Sequence, residues 1–393
     1  MQSCSHLNAS RELSSPGTSR RGMCRVWRLR ASLIAAALAL VATAGLCRSA
    51  VLTVTQDGSG DYATVWEALE AAQNGDEIWI GPGYYDESTD SGEVRELLLW
   101  AKSFTIRGQG SSPDATTIVY LKLYLSGNVL IENVTFSNSC TPLYLQDWES
   151  PAFTLEVRNC VFRENGLDGC STAGAAIETR VNGDTHASSV VIEDSVFEGH
   201  DTFFEVGGTI YSDADLRVTN SVFVRNSCGG IWGATMEIDG CLFWDNVGNA
   251  IIAYGEHDIR NSTFWHNEAE SAIYTISGPP SQSKIRNCVI GKTIGGYGLE
   301  CTGWVEVTCC LLSFNDLGNW GYCVPLPNSG VVYDVDPLFC DEDSGDFALR
   351  PDSPCLPGFL GGRECELIGA YPLGCGVSPT VGTSWGRLKL QFR

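Results

Sequence analysis

The segment Val218-Thr-Asn-Ser-Val-Phe223 recurs along the chain and decides the fold. It aligns with Val157-Arg-Asn-Cys-Val-Phe162 and with Ile259-Arg-Asn-Ser-Thr-Phe264. The shared order is aliphatic, polar, Asn-like, small, aliphatic or Thr, then aromatic or aliphatic. Further copies lie at residues 131–136, 192–197, 238–243, 285–290 and 307–312. One pattern repeated this often within a single chain indicates a repeat architecture.

The third position of the pattern returns at spacings of 26, 35, 26, 20, 21, 26 and 22 residues. Such a unit, with occasional insertions, is a solenoid period. Short strands separated by Asn and Gly turns fit a unit of this length. The 393-residue chain is 44% hydrophobic and contains 43 Gly but 3 Met, which suits a turn-rich β protein. We therefore predict an all-β parallel solenoid of about 9–11 coils.

Equivalent residues of successive coils should lie about 4.8 Å apart and form ladders. The pattern predicts an internal aromatic stack of Phe136, Phe162, Phe197, Phe223, Phe243 and Phe264. It predicts a turn ladder of Asn133, Asn159, Asp194, Asn220, Asn261 and Asn287, because Asn tolerates left-handed backbone and its amide can bond its neighbours. A polar residue returns three positions after the pattern, at Asn165, His200, Asn226, Asn246, Asn267, Thr293 and Asn315. We interpret all of these ladders, His200 included, as structural.

These repeats resemble those of the pectin-lyase-like superfamily of right-handed parallel β-helix proteins, in its bacterial secreted type. The resemblance covers about residues 51–372. Residues 54–69 look like the family's N-terminal cap; Val65, Leu69 and Ala72 fall on one helical face, and Asn74-Gly75 is a helix stop. Segments at 336–339, 345–349, 351–354 and 368–371 resemble a closing segment of bacterial surface β-helix proteins. The resemblance implies a single-stranded right-handed parallel β-helix at 93–335, between an N-terminal cap at 51–92 and a Cys-rich C-terminal cap at 336–376.

The N-terminal region carries a targeting pattern. Three arginines, at 25, 28 and 30, precede an apolar run at 31–44 that ends in small residues. A basic flank and a short apolar run predict a signal peptide at 23–44, and the run is short for a transmembrane helix. Residues 1–22 precede a second methionine and are interpreted as an over-extended start. We therefore expect a secreted or cell-surface, extracytoplasmic protein; a membrane anchor and a lipidated Cys47 are the alternatives.

Cysteine usage agrees with export. Of 17 Cys, two lie before residue 44, so 15 remain after cleavage there, a count that suits an oxidising compartment. The disulfide candidates of the C-terminal cap are Cys340, Cys355, Cys365 and Cys375, in any of three connectivities. Cys288 and Cys310 hold equivalent positions on neighbouring coils and could pack inward as thiols or join in a disulfide. The basic tail at 377–393 is either a docking element or a frayed end.

The charge restricts the class of partner. The formal net charge is −22, and residues 1–50 hold seven Arg and one Glu, so residues 51–393 carry −28. Such a surface excludes nucleic acid and disfavours unaided binding of polyanions. No cofactor is required, although Ca2+ could bridge two acidic partners. The alternative is that the charge keeps a long β surface soluble.

The resemblance implies three enzyme classes, namely polysaccharide lyases, glycoside hydrolases and pectin methylesterases. A lyase needs a Lys or Arg base beside acids, and a hydrolase needs paired carboxylates. The esterases carry a Gln and two Asp on successive coils; His200-Asp201 resembles one such segment, but the next coil has no second Asp. The sequence therefore identifies no catalytic residue and no metal ligand, and it leaves enzymatic activity open.

Two tryptophans are the main binding candidates. Trp244 and Trp265 each follow a Phe of the aromatic stack, so inward Phe residues predict outward Trp residues stacked about 4.8 Å apart. Flat aromatics beside hydrogen-bonding groups suit a sugar ring. We predict a polysaccharide site that comprises Trp244, Trp265, Asp245, His266 and Arg225, with Lys292 on the same ladder and Trp148 as a separate candidate. The alternative is that loops pack over the tryptophan pair.

We therefore expect a secreted, monomeric β-helix protein that binds or processes an extracellular polysaccharide. The alternative is a non-catalytic structural or adhesive surface solenoid. The fold by itself does not decide between these functions.

Overall fold

The computed structural model describes residues 49–147, 152–166, 173–181, 188–201, 207–276, 283–323, 330–358 and 365–375. The predicted start at 1–22, the signal peptide at 23–44, Trp148 and the basic tail at 377–393 lie outside these ranges and stay predictions. Within them, no helix has the length and apolar character that crossing a membrane requires.

The chain winds through three long sheets, and successive coils contribute one strand to each. Sheet 1 consists of Val51–Val54, Glu77–Ile80, Phe104–Gly108, Val129–Glu132, Thr154–Arg158, Ser189–Glu193, Asp215–Thr219, Met236–Asp239, His257–Arg260, Lys284–Arg286 and Glu306–Thr308. Sheet 2 consists of Gly83–Asp86, Thr116–Val119, Thr135–Ser137, Val161–Arg163, Val196–Glu198, Val222–Val224, Leu242–Trp244, Thr263–Trp265, Val289–Gly291, Leu311–Ser313 and Val332–Tyr333. Sheet 3 consists of Arg95–Leu99, Leu121–Leu125, Leu143–Gln146, Gly174–Arg180, Gly208–Ser212, Ile231–Gly233, Ile251–Ala253, Ser271–Thr275, Tyr297–Cys301 and Gly318–Gly321.

Neighbouring strands in each sheet are parallel and come from adjacent coils. The predicted single-stranded right-handed parallel β-helix is therefore confirmed, and its sheets of 11, 11 and 10 strands agree with the predicted number of coils. The resemblance to pectin-lyase-like proteins holds at the level of the fold. The sheets begin before residue 93, because Glu77–Ile80 and Gly83–Asp86 already belong to sheets 1 and 2.

The predicted aromatic stack runs through the core of the solenoid. Its six Phe rings, from Phe136 to Phe264, are all buried. Neighbouring ring centroids lie 5.5, 4.9, 4.7, 4.6 and 4.8 Å apart, and the rings are nearly parallel. The register explains this geometry, because one Phe pairs directly with the next across each pair of strands. The prediction that these side chains point inward is confirmed.

The predicted turn ladder is confirmed by its backbone angles. All six residues, Asn133, Asn159, Asp194, Asn220, Asn261 and Asn287, adopt positive φ between 48° and 57°. The amide of Asn159 donates to Oδ1 of Asn133 at 2.9 Å, and that of Asn287 donates to Oδ1 of Asn261 at 3.1 Å. Asn is suited to this place because it tolerates the left-handed region and its amide donates to the preceding coil.

A second polar ladder lies inside the solenoid. The amide of Asn226 donates to Oδ1 of Asn246 at 2.9 Å, and that of Asn246 donates to Oδ1 of Asn267 at 2.9 Å. His200 is buried in the same ladder, where its Nδ1 accepts from the backbone N–H of Asn165 at 3.0 Å. The structural role predicted for His200 is therefore supported. Burial lowers the pKa of His200 to about 3.

The N-terminal end carries the predicted helix, Val65–Ala71. Thr64 is its N-cap, and its side chain accepts a hydrogen bond from the backbone N–H of Glu67. Glu87 is buried and accepts from the backbone N–H groups of Val65 at 2.7 Å and Trp66 at 3.2 Å, which satisfies two further donors of the first turn.

The C-terminal segment folds back along the outer face of sheet 2. It contains the antiparallel strands Phe339–Asp341 and Asp346–Leu349, joined by a 3-10 turn at Glu342–Ser344. Phe339, Phe347 and Ile368 form a second buried cluster with outward side chains of sheet 2, such as Leu242 and Val289. The backbone N–H of Gly369 donates to the carbonyl of Asn287 at 2.8 Å.

The disulfides attach this segment to the solenoid. Cys340 pairs with Cys375 inside the segment. Cys365 pairs instead with Cys309 of the last coils, a pairing that none of the three predicted connectivities contains. The inclusion of Cys355 among the disulfide candidates is wrong, because Cys355 is a free thiol buried in the second cluster. A further bond joins Cys301 to Cys323. Disulfides persist in oxidising compartments, so they agree with a location outside the cytoplasm.

Cys288 and Cys310 are free thiols buried inside the solenoid. Of the two alternatives predicted for them, inward packing therefore holds and a disulfide between them does not. The sulfur of each lies near backbone carbonyl oxygens of its own and the preceding coil. Burial raises the pKa of Cys288. These thiols therefore behave as small apolar core groups.

Candidate functional site

The predicted tryptophan platform exists but is covered. Trp244 and Trp265 pair in register and point away from the Phe stack, as predicted. Trp265, however, is only 1% exposed, because the ring of Phe339 packs edge-on against it at 5.1 Å. Phe347 packs against Trp244 in the same way at 5.6 Å. The prediction of an open sugar platform at this pair is therefore wrong, and the alternative of packing by another part of the chain holds.

Gly291 explains how Trp265 fits under the C-terminal segment. It holds the equivalent position on the next coil, and a Cβ built there would lie 2.3 Å from Cζ3 of Trp265. The indole therefore occupies the space that a side chain would need. Lys292, one position further on, lies 5.5 Å from the centre of the same indole and pairs with Glu342 of the C-terminal segment.

The polar ladder beside the tryptophans forms a turn. Arg225, Asp245, His266 and Lys292 all adopt positive φ, between 50° and 57°. Nδ1 of His266 lies 3.0 Å from Oδ1 of Asp245, and Arg225 pairs with Glu198. His266 and Asp245 therefore pair with each other, Arg225 pairs with the preceding coil, and Lys292 pairs with the C-terminal segment. Of the aromatic rings beside them, Trp265 is buried and Trp244 is partly buried. Their role in binding a polysaccharide stays a prediction.

A different aromatic face lies on sheet 3. Outward residues in register along this sheet are Leu98, Tyr124, Tyr144, Glu178, Tyr211, Trp232, Ile252, Tyr274 and Glu300. We call these residues, together with Glu96, Lys122, Arg180, Asp213 and Tyr254, the sheet-3 face. The tyrosines and Trp232 are all partly exposed. Where two aromatic residues lie on adjacent strands of this face, their ring centroids are 5.2 Å apart for Tyr124 and Tyr144 and 5.7 Å apart for Tyr211 and Trp232.

A carboxylate interrupts the aromatic ladder at its centre. Glu178 stands between Tyr144 and Tyr211 and is only 3% exposed. Its Oε1 accepts from Nε of Arg180 at 2.7 Å, and its Oε2 accepts from the backbone N–H groups of Ala173 at 2.8 Å and Gly174 at 3.2 Å. The strand alternation places Glu178 and Arg180 outward while Ile177 points into the core.

Cations pack against the rings on both sides of Glu178. The guanidinium of Arg180 lies 4.1 Å from the ring centre of Tyr211, and Nζ of Lys122 lies 4.9 Å and 5.4 Å from those of Tyr124 and Tyr144. Such cation–π contacts fix the positions of partly exposed rings. Burial lowers the pKa of Lys122, while the charges of Glu96 and Glu178 oppose that shift.

Two tyrosine hydroxyl groups on this face donate hydrogen bonds to carboxylates. The hydroxyl of Tyr254 donates to Oδ1 of Asp213 at 2.9 Å, and that of Tyr124 donates to Oε1 of Glu96 at 3.1 Å. Burial and the charge of Glu96 raise the pKa of Tyr124 to about 12, and burial and Asp213 raise the pKa of Tyr254 as well. Both tyrosines therefore keep their protons at neutral pH and remain hydrogen-bond donors.

The arrangement is suited to binding a chain of sugar rings. Aromatic rings offer flat apolar surfaces, while carboxylates and hydroxyls around them offer hydrogen bonds to sugar hydroxyls. Successive coils are about 4.8 Å apart, so the rings form a line along the solenoid axis. Among the residues that the structure describes, no group of three or more His, Cys, Asp or Glu side chains is arranged to hold a metal ion. Calcium stays an untested prediction.

The repeated pattern does not reveal the sheet-3 face. Its landmarks are the Asn turn, which lies between sheets 1 and 2, and the Phe stack, which lies in sheet 2. Strands of sheet 3 follow these landmarks after intervals of varying length, because the insertions fall on either side of them. A sequence signal for this face is the isolated aromatic residue between aliphatic neighbours, as in Leu123-Tyr-Leu125 and Leu143-Tyr-Leu145.

No protein-family model matches the chain, and no curated protein matches it. Among solved structures it is similar to a PL6 family alginate lyase, with 15% identity, 84% of this chain and 59% of that chain covered, and a TM-score of 0.30. It is also similar to the A-module of a mannuronan C-5 epimerase from Azotobacter vinelandii. The identity is 13%, the match covers 67% of this chain and 91% of the A-module, and the TM-score is 0.31.

A third similar structure is the catalytic domain of a GH87 alpha-1,3-glucanase, with 11% identity, 66% of this chain and 64% of that chain covered, and a TM-score of 0.26. The chain spans about three fifths of the length of the alginate lyase it matches. Similarity at this level identifies neither a substrate nor a reaction for the present chain.

Proposed function

We propose that this protein is an extracytoplasmic β-helix that binds polysaccharide on the sheet-3 face. The observation that carries the proposal is the line of partly exposed rings at Tyr124, Tyr144, Tyr211, Trp232 and Tyr274, held in register by the parallel strands. Rings positioned by strands and by cation–π contacts are rigid, so binding a sugar costs little side-chain entropy.

Catalysis is a separate question from binding. Glu178 already accepts three hydrogen bonds from the protein, one of them from Arg180. Burial and Glu270 raise the pKa of Glu300, but Glu300 lies five register steps along sheet 3 from Glu178. At about 4.8 Å per step these two carboxyls are too far apart to act as the acid and base of a glycosidase.

The test is a binding screen of the secreted chain against a panel of plant, algal and bacterial polysaccharides, with and without calcium. Reducing and unsaturated ends are recorded in parallel, so that turnover is detected if it occurs. We expect Trp232→Ala to weaken binding by about ten-fold, equivalent to about 1.4 kcal/mol. Trp79→Ala is the matched control, because Trp79 is an exposed tryptophan of sheet 1.

Two outcomes would contradict the proposal. Equal losses from Trp232→Ala and Trp79→Ala would place binding outside the sheet-3 face. Absence of binding to every polymer would favour a structural or adhesive solenoid. Sheet 1 offers an observation in favour of that second function, because its outward face is a ladder of paired charges such as Arg107–Glu132 and Arg260–Asp258.

A further inference from the structure

The two cations of the sheet-3 face already have partners within the protein. Arg180 contacts the carboxylate of Glu178 at 2.7 Å, lies within 4.0 Å of Asp213, and stacks on Tyr211. Its position is therefore determined by two acids and a ring on three sides. A carboxylate of a ligand would have to compete with Glu178 for the same guanidinium.

The second cation of the face, Lys122, also has its partners within the protein. Lys122 is 5% exposed, and its ammonium group lies over the rings of Tyr124 and Tyr144. The charges of Glu96 and Glu178 act on this ammonium group and favour its protonated form. Moving this ammonium outward to meet an anionic ligand would break both ring contacts.

Acids outnumber cations on this face. Its described carboxylates are Glu96, Glu178, Asp213 and Glu300, against Lys122 and Arg180. A polymer with a carboxylate on every sugar would meet net repulsion.

We infer that the ligand of the sheet-3 face is an uncharged polysaccharide, bound through ring stacking and hydroxyl hydrogen bonds. This inference rests on the proposed function and specifies its substrate class. The face uses its carboxylates and tyrosine hydroxyls as hydrogen-bond partners for sugar hydroxyls, and it uses its cations to hold the aromatic rings.

The first experiment compares neutral with acidic oligosaccharides of equal length by titration calorimetry. The neutral probes are β-1,4-glucan, β-1,3-glucan, α-1,3-glucan and xylan hexamers; the acidic probes are hexamers of galacturonate and of mannuronate. We expect at least one neutral probe to bind about ten-fold more tightly than either acidic probe in the presence of a chelator. We expect its affinity to change less than about two-fold between roughly 0.02 and 0.5 M NaCl, because no ion pair with the ligand is screened.

The second experiment changes the charge of the face. Glu96→Gln removes an exposed carboxylate beside Lys122, and Glu178→Gln removes the partner of Arg180. Each should raise the ratio of acidic-probe to neutral-probe affinity by about three-fold or more, because a repelling charge is lost and a cation is released. Glu306→Gln, an equal charge change at an exposed site on sheet 1, should leave the ratio unaltered. If Glu178→Gln does not fold, Glu96→Gln still provides the test.

The outcomes separate the two proposals. Tight binding of an acidic probe that is lost in Trp232→Ala would overturn the substrate class and leave the sheet-3 face as the site. Calcium-dependent binding of the acidic probes at this face would do the same. Failure of every probe and every polymer to bind would overturn the proposed function, and the substrate class with it.

Discussion

The ring of Phe339 meets the indole of Trp265 edge-on, with centroids 5.1 Å apart and an interplanar angle of 88°. This contact joins the C-terminal segment to a strand of sheet 2 that precedes it by more than seventy residues. Because of this contact, the outward tryptophans of sheet 2 pack into the second buried cluster. The C-terminal segment is therefore part of the packed structure of the solenoid.

Truncation of Trp265 should therefore reduce stability. We expect Trp265→Ala to lower the free energy of unfolding by about 3–5 kcal/mol, the usual cost of removing a large buried aromatic side chain. Chemical denaturation followed by tryptophan fluorescence and circular dichroism measures this. Trp79→Ala, at an exposed site, should change it by less than about 0.5 kcal/mol. A Trp265→Ala protein of unchanged stability that binds polysaccharide less tightly would instead restore this pair as the binding site.

The Cys309–Cys365 disulfide should stabilise the attachment of the C-terminal segment. Cys309 occupies the turn position that Asn holds on other coils, with φ of 52°, so Cys309→Asn preserves the turn. Combined with Cys365→Ala it should cost about 2–4 kcal/mol, because the loop is no longer closed in the unfolded chain. Differential scanning calorimetry and limited proteolysis of residues 336–375 measure the effect.

Cys355→Ala is the control for that experiment, because it removes a buried thiol without breaking a disulfide. A double variant as stable and as protease-resistant as this control would show that apolar packing alone holds the segment.

His200 should make stability depend on pH. Its pKa is about 3 in the folded protein, against an ordinary value of 6.5, because burial disfavours the charged ring. Between these two values the unfolded chain binds the proton that the folded protein does not, so stability falls as pH decreases from about 6.5 towards 3. The slope from this one group is at most about 1.4 kcal/mol per pH unit.

His200→Asn should flatten that slope. Asn holds the equivalent place at Asn226 and Asn246, and its Oδ1 can accept from the backbone N–H of Asn165 as the imidazole does. Urea denaturation of both proteins between pH 7 and 4 isolates the contribution, because the other titrating groups are common to both. Parallel pH profiles would mean that the ring titrates alike in the folded and the unfolded states, and would contradict the prediction.

The repeated segments predicted the scaffold correctly because each ladder depends on a local pattern. Phe223 and Phe264 point inward because each follows an Asn turn residue, Asn220 or Asn261, by the same number of residues. Asn220 adopts positive φ because its own side chain favours that backbone. The direction of these side chains and the φ of the turn residue depend on short stretches of sequence, so they can be predicted from a single copy of the repeat.

The site could not be predicted in the same way. A period of two residues correctly places Trp265 outward, but it carries no information about Phe339, which reaches Trp265 from a distant part of the chain. On sheet 3, Tyr144 and Tyr211 become neighbours of Glu178 only after insertions of different length have been spanned. The pairing of Cys365 with Cys309 likewise depends on where the segment lies against sheet 2.

The position of the C-terminal segment has a consequence for biosynthesis. All three sheets are complete once residue 333 has been made, yet Trp244, Trp265 and their neighbours stay uncovered until residues 339–371 have emerged. A chain that ends early would thus carry a finished solenoid with an adhesive apolar stripe, the kind of surface that chaperones and proteases recognise. Residues 339–371, which are made after the strands of all three sheets, therefore remove from solvent the apolar row that sheet 2 presents.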